Sequence, residues 1–379
     1  MYTRLLEERI RSDFFRSKII MLLWARQIGK TTLVEEILRK NYSREDIISF
    51  SWDYNEDREL LSENSLRNLW KYIETKKIIF IDEAQKIQNI WDTLKILADT
   101  YKSEKQVIVT GSSSLNLLDQ TNEVLTGRKI VYMMFPIAVW EIQNTYGVKD
   151  VHNNLENLLI FWSYPAVLNE KNQDEKIRTL TELSSSSLYR DILEFQQVKN
   201  SQIILRLLKL LALQIGKEVS MNELATSLWI DTKTVERYID LLEKSFIIFR
   251  LPPYFTNKRK ELNKQNKIYF YDLWIRNSIL WDYHPLTNRN DVWELWENFL
   301  IIERMKKNAY LSHYSNNYFW RTYNQVEIDY IEEYDSALHA YEFKWWHKKI
   351  LAPKSFTETY KNSQFMWVNR ENFLEFVSE

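Results

Sequence analysis

Gly29, Lys30 and Thr31 close an eight-residue stretch, Trp24-Ala25-Arg26-Gln27-Ile28-Gly29-Lys30-Thr31, whose spacing suits phosphate chemistry. The pattern for a phosphate-binding loop is G-x-x-x-x-G-K-[ST], and here tryptophan stands in place of its first glycine. In such a loop the backbone of Trp24, Ala25, Arg26, Gln27, Ile28, Gly29, Lys30, Thr31 and Thr32 wraps a nucleotide's phosphates. The start of the following helix favours the anion. Lys30 then reaches the β- and γ-phosphates and Thr31 ligands Mg2+, so ATP and Mg2+ are the expected cofactors. Further along, Asp82 and Glu83 end an apolar run. Asp82 would hold Mg2+ directly or through water, and Glu83 would polarise the attacking water. The plainer reading is an acidic strand end that caps the next helix.

Two further groups join this constellation. Thr110 and Ser112 lie at the end of another apolar run, where a polar residue can sense the γ-phosphate or simply cap a helix. Arg128 can supply positive charge to the γ-phosphate of its own or a neighbouring subunit, or be a surface arginine. A separate set occurs late in the chain. Asp329 sits on one alternating stretch, Glu342 and Lys344 on the next, and Glu297 on a preceding helix. Period two places Glu342 and Lys344 on one face, and a turn near Tyr334 to Ser336 brings Asp329 beside them. Asp329 and Glu342 would hold Mg2+, with Lys344 positioning water, as in a metal-dependent nuclease. Carboxylates and lysines are also common on exposed strand faces, and a nuclease-like fold without activity satisfies the same pattern.

The elements that must position these groups alternate. Stretches that read as strands occur at 18–23, 46–51, 77–81, 106–110 and 130–135, those at 18–23, 77–81 and 130–135 as apolar runs, and a helical pattern follows Lys30 with Leu33, Val34, Ile37 and Leu38 on one face. Strands alternating with helices imply a parallel sheet, with ligand at its C-terminal edge. Residues 141–215 read as helical. In 216–262, Ser220 to Glu223 forms a capping box and Asp231 caps a second helix, Thr232 to Lys244. A strand follows at 247–251, with Lys258, Arg259 and Lys260 in a wing, so the segment reads as a winged helix-turn-helix. Lys233 and Arg237 would face a DNA groove; alternatively the module is structural.

Composition narrows the class. With 379 residues there is room for two or three domains, and 45% apolar with 27% charged residues is ordinary for a globular chain. No apolar run approaches membrane-spanning length and the N-terminus holds no signal core, so a cytoplasmic protein without a membrane partner is expected. Cysteine is absent, which excludes disulfides and thiolate metal sites. A net charge of −1 gives no bulk footprint for nucleic acid.

Taken together, the residues resemble the bacterial and archaeal P-loop ATPases of the AAA+ superclass that carry an AAA_14 domain followed by a DUF4143 domain. The resemblance is carried by Ala25 to Leu33, Phe80 to Gln85, Thr110 to Ser114, Gly127-Arg128, Tyr164-Pro165, Thr234 to Tyr238, Lys267 to Asp272, Leu295 to Asn298, and Glu342 to Lys344. It implies ATP binding and hydrolysis, a winged-helix segment and a C-terminal nuclease-like fold. The expected fold class is α/β with an AAA+-like parallel sheet, then a helical and winged-helix segment, then an α+β nuclease-like domain of the PD-(D/E)xK type. The expected domains are 1–140 (ATPase), 141–215 (helical lid or linker), 216–262 (winged helix) and 263–379 (DUF4143, nuclease-like). DNA and a second copy of the chain are the expected partners besides ATP. Asp329 follows isoleucine rather than the proline of the fuller nuclease motif.

Departures from the family pattern run one way. Tryptophan stands where glycine is expected at Trp24, Trp162, Trp229, Trp274, Trp293 and Trp346, and arguably at Trp91 and Trp281. The chain holds 5 glycines and 15 tryptophans, where average usage gives roughly 27 glycines. An indole at position 24 is expected to obstruct the loop, and Trp229 falls in a turn that commonly needs positive φ. Either the ATPase is degenerate, or UGA codons read as glycine in the source cell stand here as tryptophan. One substitution repeated favours the second. Trp296 and Trp320 read as genuine.

Overall fold

The computed structural model describes residues 2–62, 66–112, 124–161, 163–184, 201–255, 265–346 and 349–378. Ser113, Ser114, Trp162 and the wing residues Lys258, Arg259 and Lys260 lie outside them. The chain forms two compact units. One comprises 1–137 with 244–246, and the other comprises 138–243 with 247–379.

The first unit is built on five parallel strands. They are β1 (Ile19–Leu23), β2 (Ile47–Ser51), β3 (Ile78–Asp82), β4 (Gln106–Gly111) and β5 (Lys129–Met133), in the spatial order β2-β3-β4-β1-β5. Strands β1 and β4 are buried along their whole length, which is why they read as unbroken apolar runs. Helices α1 (Leu6–Ser12), α2 (Lys30–Asn41), α3 (Asn55–Ser62), α4 (Leu66–Ile73) and α5 (Ile90–Tyr101) connect or flank the strands. Helix α2 buries Leu33, Val34, Ile37 and Leu38, the face its spacing predicts. The core on one side of the sheet joins Met21, Ile79, Ile81 and Val109 to Leu61, Leu69 and Leu97. Strand β4 lies between β1 and β3, so its C-terminal end is adjacent to both the β1–α2 loop and the Asp82 end of β3.

The second unit opens with helices α6 (Val139–Tyr146), α7 (Val148–Ile160), α8 (Pro165–Leu168), α9 (Gln173–Leu183) and α10 (Ser201–Leu213). Then come α11 (Met221–Leu228) and α12 (Thr232–Lys244), joined by three residues. Ser220 accepts the Glu223 N–H at 3.3 Å, and Asp231 accepts the Thr234 N–H at 2.8 Å, so both expected side-chain caps form. Strands β6 (Ile248–Leu251) and β7 (Lys267–Phe270) pair antiparallel. After α13 (Leu273–Leu280) and the 20-residue α14 (Val292–Leu311) comes a sheet of four strands, ordered β11-β10-β9-β8. Its members are β8 (Asn316–Arg321), β9 (Glu327–Tyr334), β10 (Ala337–Phe343) and β11 (Ser363–Val368), with α15 (Lys354–Thr359) and α16 (Phe373–Val377) alongside. Asp335 and Ser336 both have positive φ, 49° and 59°, and make the two-residue β9–β10 turn. Among the described residues no helix is long and apolar enough to cross a membrane.

Tryptophan occupies two helix ends of a particular kind. Trp229 (φ 57°) and Trp281 (φ 54°) both sit in the left-handed region just after α11 and α13. In each case the next N–H reaches back to close the helix, Ile230 to Ala225 at 3.1 Å and Asp282 to Asn277 at 3.0 Å. That closure is the one that glycine serves best. Their rings are 89% and 67% exposed and fill no core. Trp296 and Trp320 are different: both are buried in aromatic clusters, on Phe299 and Phe373 and on Phe356 respectively.

Candidate functional site

The loop after β1 ends at Gly29, whose φ of 92° lets the chain turn into α2 without a Cβ clash. Gln27 also adopts positive φ, 63°. Lys30 is only 5% exposed, and its ammonium donates to the carbonyls of Ala25 at 2.8 Å and Trp24 at 3.1 Å, across the width of the loop. Thr31, one residue on, donates its hydroxyl to Asp82 Oδ1 at 2.9 Å. The Thr110 hydroxyl donates to the same oxygen. Asp82 is therefore shared by the loop, the end of β3 and the end of β4.

Glu83 follows with φ 51°, a costly conformation for glutamate that is fixed by its surroundings. Its N–H donates to Thr110 Oγ1 at 3.1 Å. Its carboxylate accepts from Ser112 and from Gln85, each at 2.7 Å, and Gln85 also donates to Ser112 at 2.8 Å. Burial pushes the Glu83 carboxyl up, but the Lys30 charge, these two hydrogen bonds and Lys86 outweigh it and hold it below the usual range. A half-buried, ionised carboxylate beside a hydroxyl-lined strand end can accept a proton from water. Gln85 stood in the sequence without a role; only the fold of the Ala84–Lys86 turn aims it at Glu83.

Position 24 departs from expectation. The indole is 2% exposed, with its ring 4.1 Å from Phe135 and 4.2 Å from Phe246 by centroids. It is seated in apolar surroundings, and Trp24 is not among the described residues with positive φ. The expectation that an indole has nowhere to go at this position is corrected: Phe135 and Phe246 make room for it.

Arg128 lies elsewhere. Its carbonyl accepts from Ile19, the first residue of β1, at 2.8 Å, whereas the loop follows the last residue. At about 3.3 Å per residue, that places it roughly 15 Å from its own chain's loop. Its guanidinium binds Asp99 at 2.6 Å.

The second set of carboxylates is gathered in the other unit. Extending the β9–β10 register places Asp329 opposite Glu342, and Asp329 Oδ2 accepts the Phe343 N–H at 2.7 Å. Lys344 donates to Glu342 at 2.7 Å, and Glu297 of α14 accepts from Lys267 at 3.0 Å and from the Tyr269 hydroxyl. Burial, with Glu297 and Glu342 nearby, drives the Asp329 carboxyl well above its usual range. Lys267 and Tyr269 were not foreseen as site residues, although their period-two spacing on β7 puts them on one face.

Comparisons with known proteins match three stretches of the chain. Residues 16–143 match the AAA domain family AAA_14, and 294–375 match the domain of unknown function DUF4143. The chain joins an AAA domain to a DUF4143 domain. Between them, 152–282 match a further domain of unknown function, DUF8612. The uncharacterized protein Rv2008c of Mycobacterium tuberculosis is 24% identical over 339 residues, covering 89% of this chain and 72% of that one. The uncharacterized protein MJ1637 of Methanocaldococcus jannaschii is 27% identical over 306 residues, covering 70% and 63%. Among solved structures, the replication initiator DnaA bound to AMPPCP and single-stranded DNA aligns at 14% identity and a TM-score of 0.28, covering 63% of this chain and 86% of that one. At that score it carries no weight for the site. Within the AAA domain lie the loop, Asp82, Glu83, Thr110, Ser112 and Arg128; within the DUF4143 domain lie Glu297, Asp329, Glu342 and Lys344.

Proposed function

We propose that the AAA domain binds ATP with Mg2+ and hydrolyses it. One observation carries this reading: Asp82 Oδ1 is shared by Thr31, at the start of α2, and Thr110, at the end of β4, while Lys30 sits on the loop and Glu83 stays ionised beside them. A threonine hydroxyl and a carboxylate in contact are the hard oxygen donors that Mg2+ takes, so the residues present fit the ion. Thr31 and Asp82 would hold it, and bound there it would offset charge on the phosphates. The chain's own groups do the rest. The loop amides and the α2 N-terminus bind the phosphate tail, and Lys30 exchanges its carbonyl partners for phosphate oxygens. Glu83 accepts the proton of the attacking water, and Gln85 with Ser112 fixes its orientation. Thr110, bonded both to Asp82 and to the Glu83 backbone, registers what happens at the terminal phosphate. Arg128 is too far to serve its own site, so any role for it is toward a neighbouring subunit's nucleotide in a homo-oligomer.

Calorimetry with a non-hydrolysable ATP analogue tests the binding step. Lys30→Ala should weaken affinity about 10- to 100-fold, the equivalent of the roughly 1.5–3 kcal/mol of a charge-assisted hydrogen bond. Unchanged affinity removes Lys30 from the site.

A nucleotide-switched DNA-binding protein is the second reading. It is favoured by α11, α12 and the β6–β7 pair, which together have the order of a winged helix. The exposed residues of α12 weaken it: Lys233, Arg237 and Lys244 alternate with Glu236 and Asp240, so that face carries one net positive charge.

A further inference from the structure

A nuclease-like reading of the DUF4143 domain requires Asp329 and Glu342 to hold a divalent ion, and the residues present do not fit one. Each carboxylate near that point already has a partner from the chain. Asp329 takes a backbone N–H, Glu342 takes Lys344, and Glu297 takes both Lys267 and Tyr269. Lys267 also pairs with Glu327, at the start of β9. Among the described residues no group of three or more histidine, cysteine, aspartate or glutamate side chains is placed to hold a metal.

The position of Lys267 explains why. It begins β7, and its backbone forms an antiparallel bridge with Glu218, which in turn pairs with Arg321 at 2.9 Å. The residue is 3% exposed, so its ammonium cannot turn out to water. Unpaired, a buried ammonium is expensive, and it must find carboxylates. Two helices' worth of chain separate it from the sheet in sequence, yet it reaches Glu297 of α14 and Glu327 of β9 at once.

We propose that the Lys267 ammonium is the resident cation of this carboxylate cluster, standing where a divalent ion would otherwise be held, so that the DUF4143 domain takes up no divalent metal. The lysine supplies one positive charge in a fixed place, and Tyr269 donates to the same Glu297 oxygen that Lys267 takes. The cluster is thereby a tie between β7, α14 and the C-terminal sheet.

Electron paramagnetic resonance with Mn2+ on the nucleotide-free full chain decides this, because free and bound Mn2+ are resolved. The unsubstituted chain should show no site that Glu342→Gln removes. Lys267→Met, which keeps the stem and deletes the charge, should gain one site, at least ~10-fold tighter than any in the parent, and the double variant Lys267→Met/Glu342→Gln should lose it again. Mn2+ at Thr31 and Asp82 is unaffected by Glu342→Gln, so the two sites are not confused. Binding in the unsubstituted chain that Glu342→Gln abolishes overturns the proposal. A folded Lys267→Met that gains nothing also overturns it. Should Lys267→Met fail to fold, the comparison of the unsubstituted chain with Glu342→Gln still decides.

Discussion

At Glu83 two effects oppose each other. Burial raises the carboxyl, and the charge of Lys30 is the largest influence that lowers it. The folded value lies below the unfolded one, so this group stabilises the fold above the ordinary glutamate range. That contribution is lost as pH falls through the lower, folded value. Carboxyl-carbon NMR, with Glu83 assigned by its loss in Glu83→Gln, should give a midpoint below that of a free glutamate. Lys30→Met should move it upward, because burial then dominates. A midpoint that ignores Lys30→Met would separate the two residues. This pairing was not legible in the sequence: the loop lysine and the acidic strand end could each be recognised by spacing, but their electrostatic coupling needs β4 to lie between their strands. Gln85 is a similar case, since a glutamine two residues after a glutamate has no preferred target until the chain turns.

Helix ends and strand runs were the more readable scale. The central strands β3, β4 and β1 follow apolar runs, because strands covered on both faces must be largely apolar, whereas the edge strands β2 and β5 are mostly part-buried and mix in polar residues. The caps at Ser220 and Asp231 follow from short polar side chains placed just before apolar periodicity. Position 24 was misjudged for a physical reason: a loop motif says where the backbone must go, not which apolar seat a neighbouring ring can find. Trp229 and Trp281 remain anomalous at this scale. An L-residue in the left-handed region is disfavoured by about 1–2 kcal/mol, and these exposed rings return nothing in burial. Trp229→Gly and Trp281→Gly should each raise unfolding free energy by about 0.5–1 kcal/mol in urea denaturation, after the entropic penalty of glycine. The same geometry predicts UGA codons at both positions in the gene. UGG there, or a loss of stability on substitution, contradicts it.

At the scale of the whole molecule, two kinds of polar centre have been built from the same residue types. In the AAA domain, Asp82 accepts the Thr31 and Thr110 hydroxyls, and the nearby ammonium rests on carbonyls that phosphate can replace. In the DUF4143 domain Glu297 is matched to the buried Lys267 and Tyr269, Glu342 to the half-buried Lys344, and Asp329 to a backbone N–H. The first arrangement is open to an anionic ligand with its counter-ion; in the second, two ammoniums already stand among the carboxylates. Sequence patterns alone treat both as metal-binding candidates, because they count carboxylates and cannot count the partners that folding brings to them. The most direct test is ATP turnover by the full chain with Mg2+, measured beside Glu83→Gln with nucleotide binding followed in parallel. Turnover should fall about 10²- to 10⁴-fold in the variant, the range for loss of a general base, while ATP affinity is kept. Equal turnover by both proteins, or no nucleotide bound by either, would contradict it.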